Sequence, residues 1–362
     1  MKTVSGWLAG SKTVTALLTG SLRAADRRDA LAALASGRAH IAVGTHALLE
    51  PDVAFHDLRL AVVDEQHRFG VMQRAALAGK SRMRPHVLVM TATPIPRTLA
   101  ITAFGDLDVS TLDGLPPGRT PVETLVVDAR KMEPVWEAVR REVAAGRQAF
   151  LVYPLVDASD RVAARSAIEM HGHLTERVFP DLRVGLLHGR LSAPEKTAAM
   201  QDFRAGRTHV LVSTVVIEVG VDVPNATVMI VGNAERFGLA QLHQLRGRIG
   251  RSTHASTCFL AAGDAAPDAL RRLGILERTQ DGFRIAEADL EMRGPGEFLG
   301  TRQSGAPEFH LADLVKDAPV LFAARDRAFA LVKEDPGLKK HPELKRELIE
   351  RLGERIGLGG IL

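Results

Sequence analysis

The chain has 362 residues, 46% of them hydrophobic, with a formal net charge of +4 and one cysteine. That length exceeds one ordinary core and predicts two or three globular domains, while the single thiol, Cys258, excludes an internal disulfide and a cysteine-cluster metal site. The apolar runs are about five to eight residues long, well short of the roughly 18 that span a bilayer, and the N-terminus has no basic-then-apolar signal pattern, so a cytoplasmic protein with no membrane partner is expected.

In chain order, Gly6-Trp7-Leu8-Ala9-Gly10-Ser11-Lys12-Thr13 comes within one residue of a phosphate-binding loop. It is rejected as one, because such a loop follows a strand and opens a helix, whereas this stretch leads into a strand at residues 14–18. Further strands are predicted at 58–63 and 86–90. A stretch rich in Gly, Pro and Asp at 105–121 reads as a linker. Strands follow at 148–153, 184–187, 210–212 and 227–231, then at 257–262, where Cys258 belongs to the core. Beyond residue 263 the pattern is helical, interrupted by Arg293-Gly294-Pro295-Gly296. Arginine clusters at 246–251 and 271–272, with a pI near 9.4, fit a polyanion partner without establishing one.

An internal repeat organises these elements. Leu17-Leu18-Thr19-Gly20-Ser21-Leu22 matches Leu186-Leu187-His188-Gly189-Arg190-Leu191, and Gly37-Arg38-Ala39-His40-Ile41 matches Gly206-Arg207-Thr208-His209-Val210, both at an offset of 169. The match runs without a gap through Thr45 and Thr214. Each copy reads as strand, turn, helix, glycine stop and strand, with Ser192 and Glu195 spaced to cap the second helix. Strand-helix alternation with apolar strands predicts an α/β fold of two tandem parallel-sheet lobes covered by helices. The strand at Gln148 has no counterpart in lobe one, since 148 − 169 falls before Met1, so lobe one is expected to begin in mid-domain.

Three motifs carry chemistry. Asp64-Glu65 follows the apolar run 58–63, which places two carboxylates at the carboxyl edge of a buried strand, where open α/β sheets bind ligands. One can hold Mg²⁺ through its water shell while the other deprotonates a water for phosphoryl transfer, although a lone Asp-Glu pair also reads as a solvated turn. In Gln244-Leu245-Arg246-Gly247-Arg248-Ile249-Gly250-Arg251, two arginines three apart are expected to share one helical face. They suit phosphate oxygens as fingers closing over a nucleotide, the alternative being a basic surface helix on DNA phosphates. Thr91-Ala92-Thr93-Pro94 follows another strand end and reads as a nucleotide-state relay or a plain turn.

Taken with Asp64-Glu65-Gln66-His67-Arg68-Phe69-Gly70, Thr91 to Thr98, Ser213-Thr214 through Gly220-Val221-Asp222-Val223-Pro224, and Gln244 to Arg251, the chain resembles superfamily 2 helicases. Asp64 to Gly70, with Asp281-Gly282-Phe283, Arg293-Gly294-Pro295-Gly296 and Gln303-Ser304-Gly305 downstream, resembles the RecG branched-DNA helicases over essentially the whole chain. The transcription-repair coupling factor shares the downstream module but usually carries a second Glu where this chain has Gln66.

The resemblance implies RecA-like lobes at 1–104, lacking the phosphate loop, and at 122–262, joined by the linker 105–121. A helical hairpin and translocation motif at 263–310 and a helical C-terminal region at 311–362 follow. It implies ATP and Mg²⁺ as cofactors, with Asp64 holding the metal through water and Glu65 as catalytic base. Gln244, Arg248 and Arg251 would act as γ-phosphate sensor and fingers, with Gly220 and Asp222 lining the nucleotide. Coupling falls to Gln66, His67, Thr91, Thr93, Arg272, Arg293 and Gln303. DNA backbone contacts fall to Thr19, Gly20, Ser21, Thr45, His46, Ser213 and Thr214, which would grip phosphates without reading bases.

The implied activity is ATP-dependent translocation that remodels branched DNA and stalled replication forks in recombination and repair, by a monomeric motor. The expected truncation would remove the phosphate loop and a fork-recognising wedge region ahead of the motor, leaving this chain ATPase-deficient. Competing readings are a non-catalytic DNA-binding remnant, the motor of a transcription-repair coupling factor and a metal-dependent nuclease.

Overall fold

The computed structural model describes residues 2–64, 80, 85–91, 108–112, 119–154, 160–214, 223–263, 265–293 and 317–352. It divides into two compact units, residues 1–92 with 326–362, and residues 93–325.

The first unit opens with a six-residue helix, α1 (Lys2–Trp7), and a turn in which Gly10 takes a φ of 83° before β1 (Thr15–Leu18). Residues 6–13 therefore run from helix to strand, the reverse of a phosphate loop. Helix α2 (Ala24–Ala35) carries the chain back to β2 (Ile41–Gly44), which pairs parallel with β1 in the register Thr15 to Ile41. Leu18, Leu34, Ala47 and Val53 form the core beneath. Strands β3 (Leu60–Val63) and β4 (His86–Val89) make a second parallel pair, with Ala61 and Val63 packed against Leu49 and Leu58. The single-turn helix His46–Leu49 links the two pairs, placing Leu48 in one cluster and Leu49 in the other.

The second unit holds a six-stranded, wholly parallel sheet in the order β5-β10-β9-β6-β8-β7. Its strands are β5 (Val122–Asp128), β6 (Gln148–Tyr153), β7 (Val184–Leu187), β8 (Val210–Thr214), β9 (Ala226–Gly232) and β10 (Ser256–Ala262). Period-2 alternation sends Phe150, Val152, Met229 and Val231 to one face and Ala149, Leu151, Val228 and Ile230 to the other. Both faces are covered. Helices α3 (Glu133–Ala144) and α4 (Asp160–His173) lie on the second face, while α5 (Ala193–Arg204), α6 (Leu239–Arg246) and α7 (Pro267–Arg278) supply Phe203, Leu242 and Leu273 to the first.

The edge strand β5, unanticipated from sequence, is sealed by α7 and the residues after it: Val126 N–H donates to Glu277 at 2.6 Å and the Gln280 amide donates to the Val122 carbonyl at 3.1 Å. Helix α8 (Gly282–Arg293) packs on α6 and α7. Helices α9 (Ala318–Glu334) and α10 (Pro342–Leu352) complete the chain. Among the described residues no helix is long and apolar enough to cross a membrane.

The repeat is visible in three dimensions. Strands β7 and β8 begin 169 residues after β1 and β2 (184 and 15, 210 and 41), and the offset continues beyond Thr45, since β9 ends at 232 and β3 at 63. The glycine stops correspond too, with φ of 75° at Gly37 and 69° at Gly206. The expected capping box forms: Ser192 N–H donates to Glu195 Oε2 at 2.7 Å and Glu195 N–H to Ser192 Oγ at 3.4 Å.

Candidate nucleotide and DNA site

Parallel strands deliver their C-termini to one edge, so within each strand pair of the first unit both strands end in a motif on the same side. Asp64 leaves β3 exposed, and Thr91, also exposed, leaves the adjacent β4; Met90 N–H donates to the Val63 carbonyl at 2.7 Å, which keeps the two exits side by side. Thr19-Gly20-Ser21 leave β1 with Thr19 Oγ1 and Ser21 Oγ 3.3 Å apart. Thr45 and His46 leave β2, both exposed, with Thr45 N–H donating to the Leu18 carbonyl at 3.3 Å. Glu65, Gln66, His67 and Thr93 lie outside the described residues.

In the second unit the equivalent edge is closed. Ser213 and Thr214 are 0% and 1% exposed; Ser213 Oγ donates to the Thr214 carbonyl at 2.6 Å, and Thr214 Oγ1 has no hydrogen-bond partner. Just beyond the end of β7, His188 is buried with Nδ1 unpartnered. Burial first, then the charges of Arg190 and Lys196, lowers its pKa and favours the neutral imidazole. Gly220 and Asp222 lie outside the described residues.

The arginine segment differs from expectation. Helix α6 ends at Arg246, and Arg248 and Arg251 stand in the turn beyond it rather than on a shared helical face. The turn beyond the helix is shaped by distant partners. Gly250 takes a φ of 68°, and a Cβ there would come within 2.5 Å of Val122 Cγ2. Arg119, which sequence reasoning placed only in a linker, holds the turn by donating to the carbonyls of Gly247 at 2.9 Å and Gly250 at 3.2 Å. Arg251 Nε donates to the same Gly247 carbonyl at 3.1 Å. Gln244 and Arg248 are half-buried and Arg251 is exposed.

The two arginine clusters at 246–251 and 271–272 are not uniformly open to a polyanion. Arg246 is 4% exposed and donates to the carbonyls of Leu276 at 3.0 Å and Thr279 at 3.1 Å, and to His243 Nδ1 at 2.9 Å. It joins α6 to the end of α7 and is closed to a polyanion. Burial, with Arg246 as second cause, pushes the His243 pKa down to about 4, which leaves Nδ1 an acceptor. Arg271 pairs with Asp268 at 2.6 Å on the surface, whereas Arg272 donates to the Glu235 carbonyl at 2.5 Å and ties α7 to the turn Ala234–Arg236. Arg293 is the last residue of α8, and Gln303 lies outside the described residues.

A hydrated Mg²⁺ needs one or two carboxylates rather than a cage, and an exposed Asp64 at a strand end suits it. Among the described residues no cluster of three metal-ligating side chains occurs, so no caged ion is indicated there. The exposed Arg251 and half-buried Arg248 have the donor chemistry that phosphate oxygens take.

Comparison with known proteins places these features in a family. Residues 2–101 match the DEAD/DEAH box helicase family, residues 131–253 the helicase conserved C-terminal domain, and residues 279–354 the C-terminal part of domain 3 of the ATP-dependent DNA helicase RecG. The ATP-dependent DNA helicase RecG of Synechocystis is 55% identical over 341 residues, 94% of this chain and 41% of that protein. The Thermotoga maritima protein of the same name is 50% identical over 311 residues, 86% of this chain and 40% of its own. A solved structure of RecG bound to a three-way DNA junction superposes with a TM-score of 0.67 at 44% identity, covering 88% of this chain and 41% of that one. The chain thus spans about two fifths of the length of these relatives. Over the stretch it shares with them, the chain is similar to the RecG helicases, with helicase superfamily 2 domains at residues 2–101 and 131–253.

Proposed function

We propose that the chain is the motor portion of an ATP-dependent DNA helicase, acting as a monomer on branched DNA and stalled forks in recombination and repair. The observation that supports this reading is that Thr19 to Ser21, Thr45-His46, Asp64 and Thr91 follow the carboxyl ends of the first unit's four strands in chain order. Bound ATP and Mg²⁺ would supply the phosphoanhydride whose hydrolysis drives the cycle. Asp64 offers its carboxylate to the metal's water shell, and Glu65 is assigned the proton of the attacking water. Gln244, Arg248 and Arg251 serve the γ-phosphate, with Gly220 and Asp222 lining the nucleotide, and Arg119 holds the turn that carries the two arginines. The hydroxyls of Thr19, Ser21 and Thr45 and the His46 imidazole suit DNA phosphates and give a sequence-independent grip. Gln66, His67, Thr93, Arg272, Arg293 and Gln303 complete the coupling path.

The test is equilibrium binding of a fluorescent ATP analogue to the purified chain. Arg248→Ala and Arg251→Ala are each expected to weaken it at least fivefold while a three-way junction still binds. Analogue binding that is absent, or indifferent to both changes, would favour the second reading, a non-catalytic DNA-binding remnant. That reading draws on residues 6–13, which run from helix to strand and form no phosphate loop. On the same ground this chain alone is proposed to hydrolyse ATP negligibly; robust DNA-stimulated turnover abolished by Glu65→Gln would overturn that part.

A further inference from the structure

The end of a helix leaves carbonyls without an intrahelical donor, and at the end of α6 they are met in two ways. Those of Leu245 and Arg246 accept from within the turn, from Arg248 N–H at 2.9 Å and Ile249 N–H at 3.3 Å. The carbonyl of Gly247, the residue that closes the helix, accepts from two guanidinium groups: Arg119 Nη2 at 2.9 Å and Arg251 Nε at 3.1 Å. A carbonyl oxygen has two lone pairs, so one atom serves both donors. Arg119 reaches it from 128 positions away in the chain and grips the turn a second time, donating from Nε to the Gly250 carbonyl at 3.2 Å.

The consequence falls unequally on the two arginines of the turn. Arg251 is tied through Nε to the oxygen that Arg119 holds, and that bond fixes the plane of its guanidinium, whose Nη groups are then the ones with which it can fork phosphate oxygens. Arg248 lies between the two gripped carbonyls in sequence, and its backbone is held by Leu245 inside the turn itself. The neighbour of Arg119 makes a separate contact at the far end of the loop: Thr120 Oγ1 donates to the His254 carbonyl at 3.0 Å, just before β10 enters its register with β5 at Ser256 and Val122.

We propose that Arg119 is a positioning residue for the nucleotide: through the Gly247 carbonyl that the two guanidinium groups share, it orients Arg251, and not Arg248, for the γ-phosphate. The proposal rests on the nucleotide reading of Arg251 and deepens it, because it makes the contribution of Arg251 conditional on a residue at the end of the stretch 105–121 that joins the two lobes along the chain.

The test is a cycle of double substitutions in the full chain, read by binding of the fluorescent ATP analogue and by the side-chain Nε–H resonance of Arg251 in NMR spectra. Arg119→Met, which keeps the aliphatic stem and removes the donors, is expected to weaken analogue binding about fivefold in the native background and in Arg248→Ala, but less than about 1.5-fold in Arg251→Ala, where the group it orients is gone. Exchange of the Arg251 Nε–H with water should quicken by roughly tenfold or more. Thr120→Val, which loosens the same loop at His254, should change neither readout. An equal loss in all three backgrounds, an equal effect of Thr120→Val, or no loss at all would each overturn the proposal, the first two by showing that Arg119 only stabilises the turn. Should Arg119→Met fail to fold, Arg119→Lys, which keeps the charge and the stem but not the planar fork, takes its place, with a smaller loss expected in the same pattern. The Nε–H readout needs no nucleotide. Quickened exchange in a chain that binds no analogue would overturn the nucleotide reading and leave the link from Arg119 to Arg251 standing, whereas unchanged exchange would overturn the link whatever the chain binds.

Discussion

Strands β3 and β9 are repeat counterparts of similar apolar character, yet one is fully enclosed and the other half open. The contrast shows that an apolar strand does not bury itself. β9 is buried because β6 and β10 flank it and helices cover both faces, while among the described strands β3 pairs with β4 alone. The same holds for the hydroxyls at the strand ends. Thr214 is enclosed beside β6, and Thr45, its counterpart, is exposed at the end of a strand with one neighbour.

Four substitutions or titrations sharpen the comparison. The largest effect is expected for Arg246→Ala, which leaves the buried carbonyls of Leu276 and Thr279 without a donor and should destabilise the second unit by about 4 kcal/mol, at ~1–3 kcal/mol per orphaned group. Urea denaturation measures it, and a loss below ~1 kcal/mol would show that Arg246 is no clamp.

Next comes a matched pair. Met229→Ala should cost about 3 kcal/mol in a closed core, and Leu60→Ala, at the equivalent position of the open lobe, under ~0.5 kcal/mol. Equal costs would mean that the two strands share one environment after all.

The third is pH dependence. His243 has a folded pKa near 4, below its ordinary value, so between pH ~6.5 and ~4 the unfolded chain binds the extra proton. Stability of the second unit is therefore full above pH ~6.5 and declines as pH falls toward 4, by on the order of 3 kcal/mol. Thermal melts of the native chain and His243→Gln should diverge over that window and run parallel above it.

The smallest effect contrasts the helix caps. Ser192→Ala should cost about 1 kcal/mol, while Arg23→Ser, at the equivalent position of α2, where no side chain caps the helix, should gain about 0.5 kcal/mol. The Arg23–Asp26 pair lost in that change is exposed and contributes little. Helix content by circular dichroism against temperature would show both signs.

Much of this was legible in the sequence. The repeat, the capping box, the glycine stops and most strand positions follow from spacings of a few residues, which local physics governs. Asp64 and Thr91 were placed at strand ends by the same means. The arginine segment was misread because its geometry depends on Val122 and Arg119, more than 120 positions away, and no short window contains them. His243 and the edge strand β5 were missed for the same reason, since both are defined by distant partners.

From residues alone came the tandem α/β organisation and the direction in which its motifs point, because apolar strands joined by helices must run parallel and end on one edge. Tertiary structure decided which of those groups are open. It enclosed Arg246 and Thr214, bent Arg248 and Arg251 off their helix and left Leu60 and Val62 of β3 open, since burial is set by neighbours that the chain brings from far along its length.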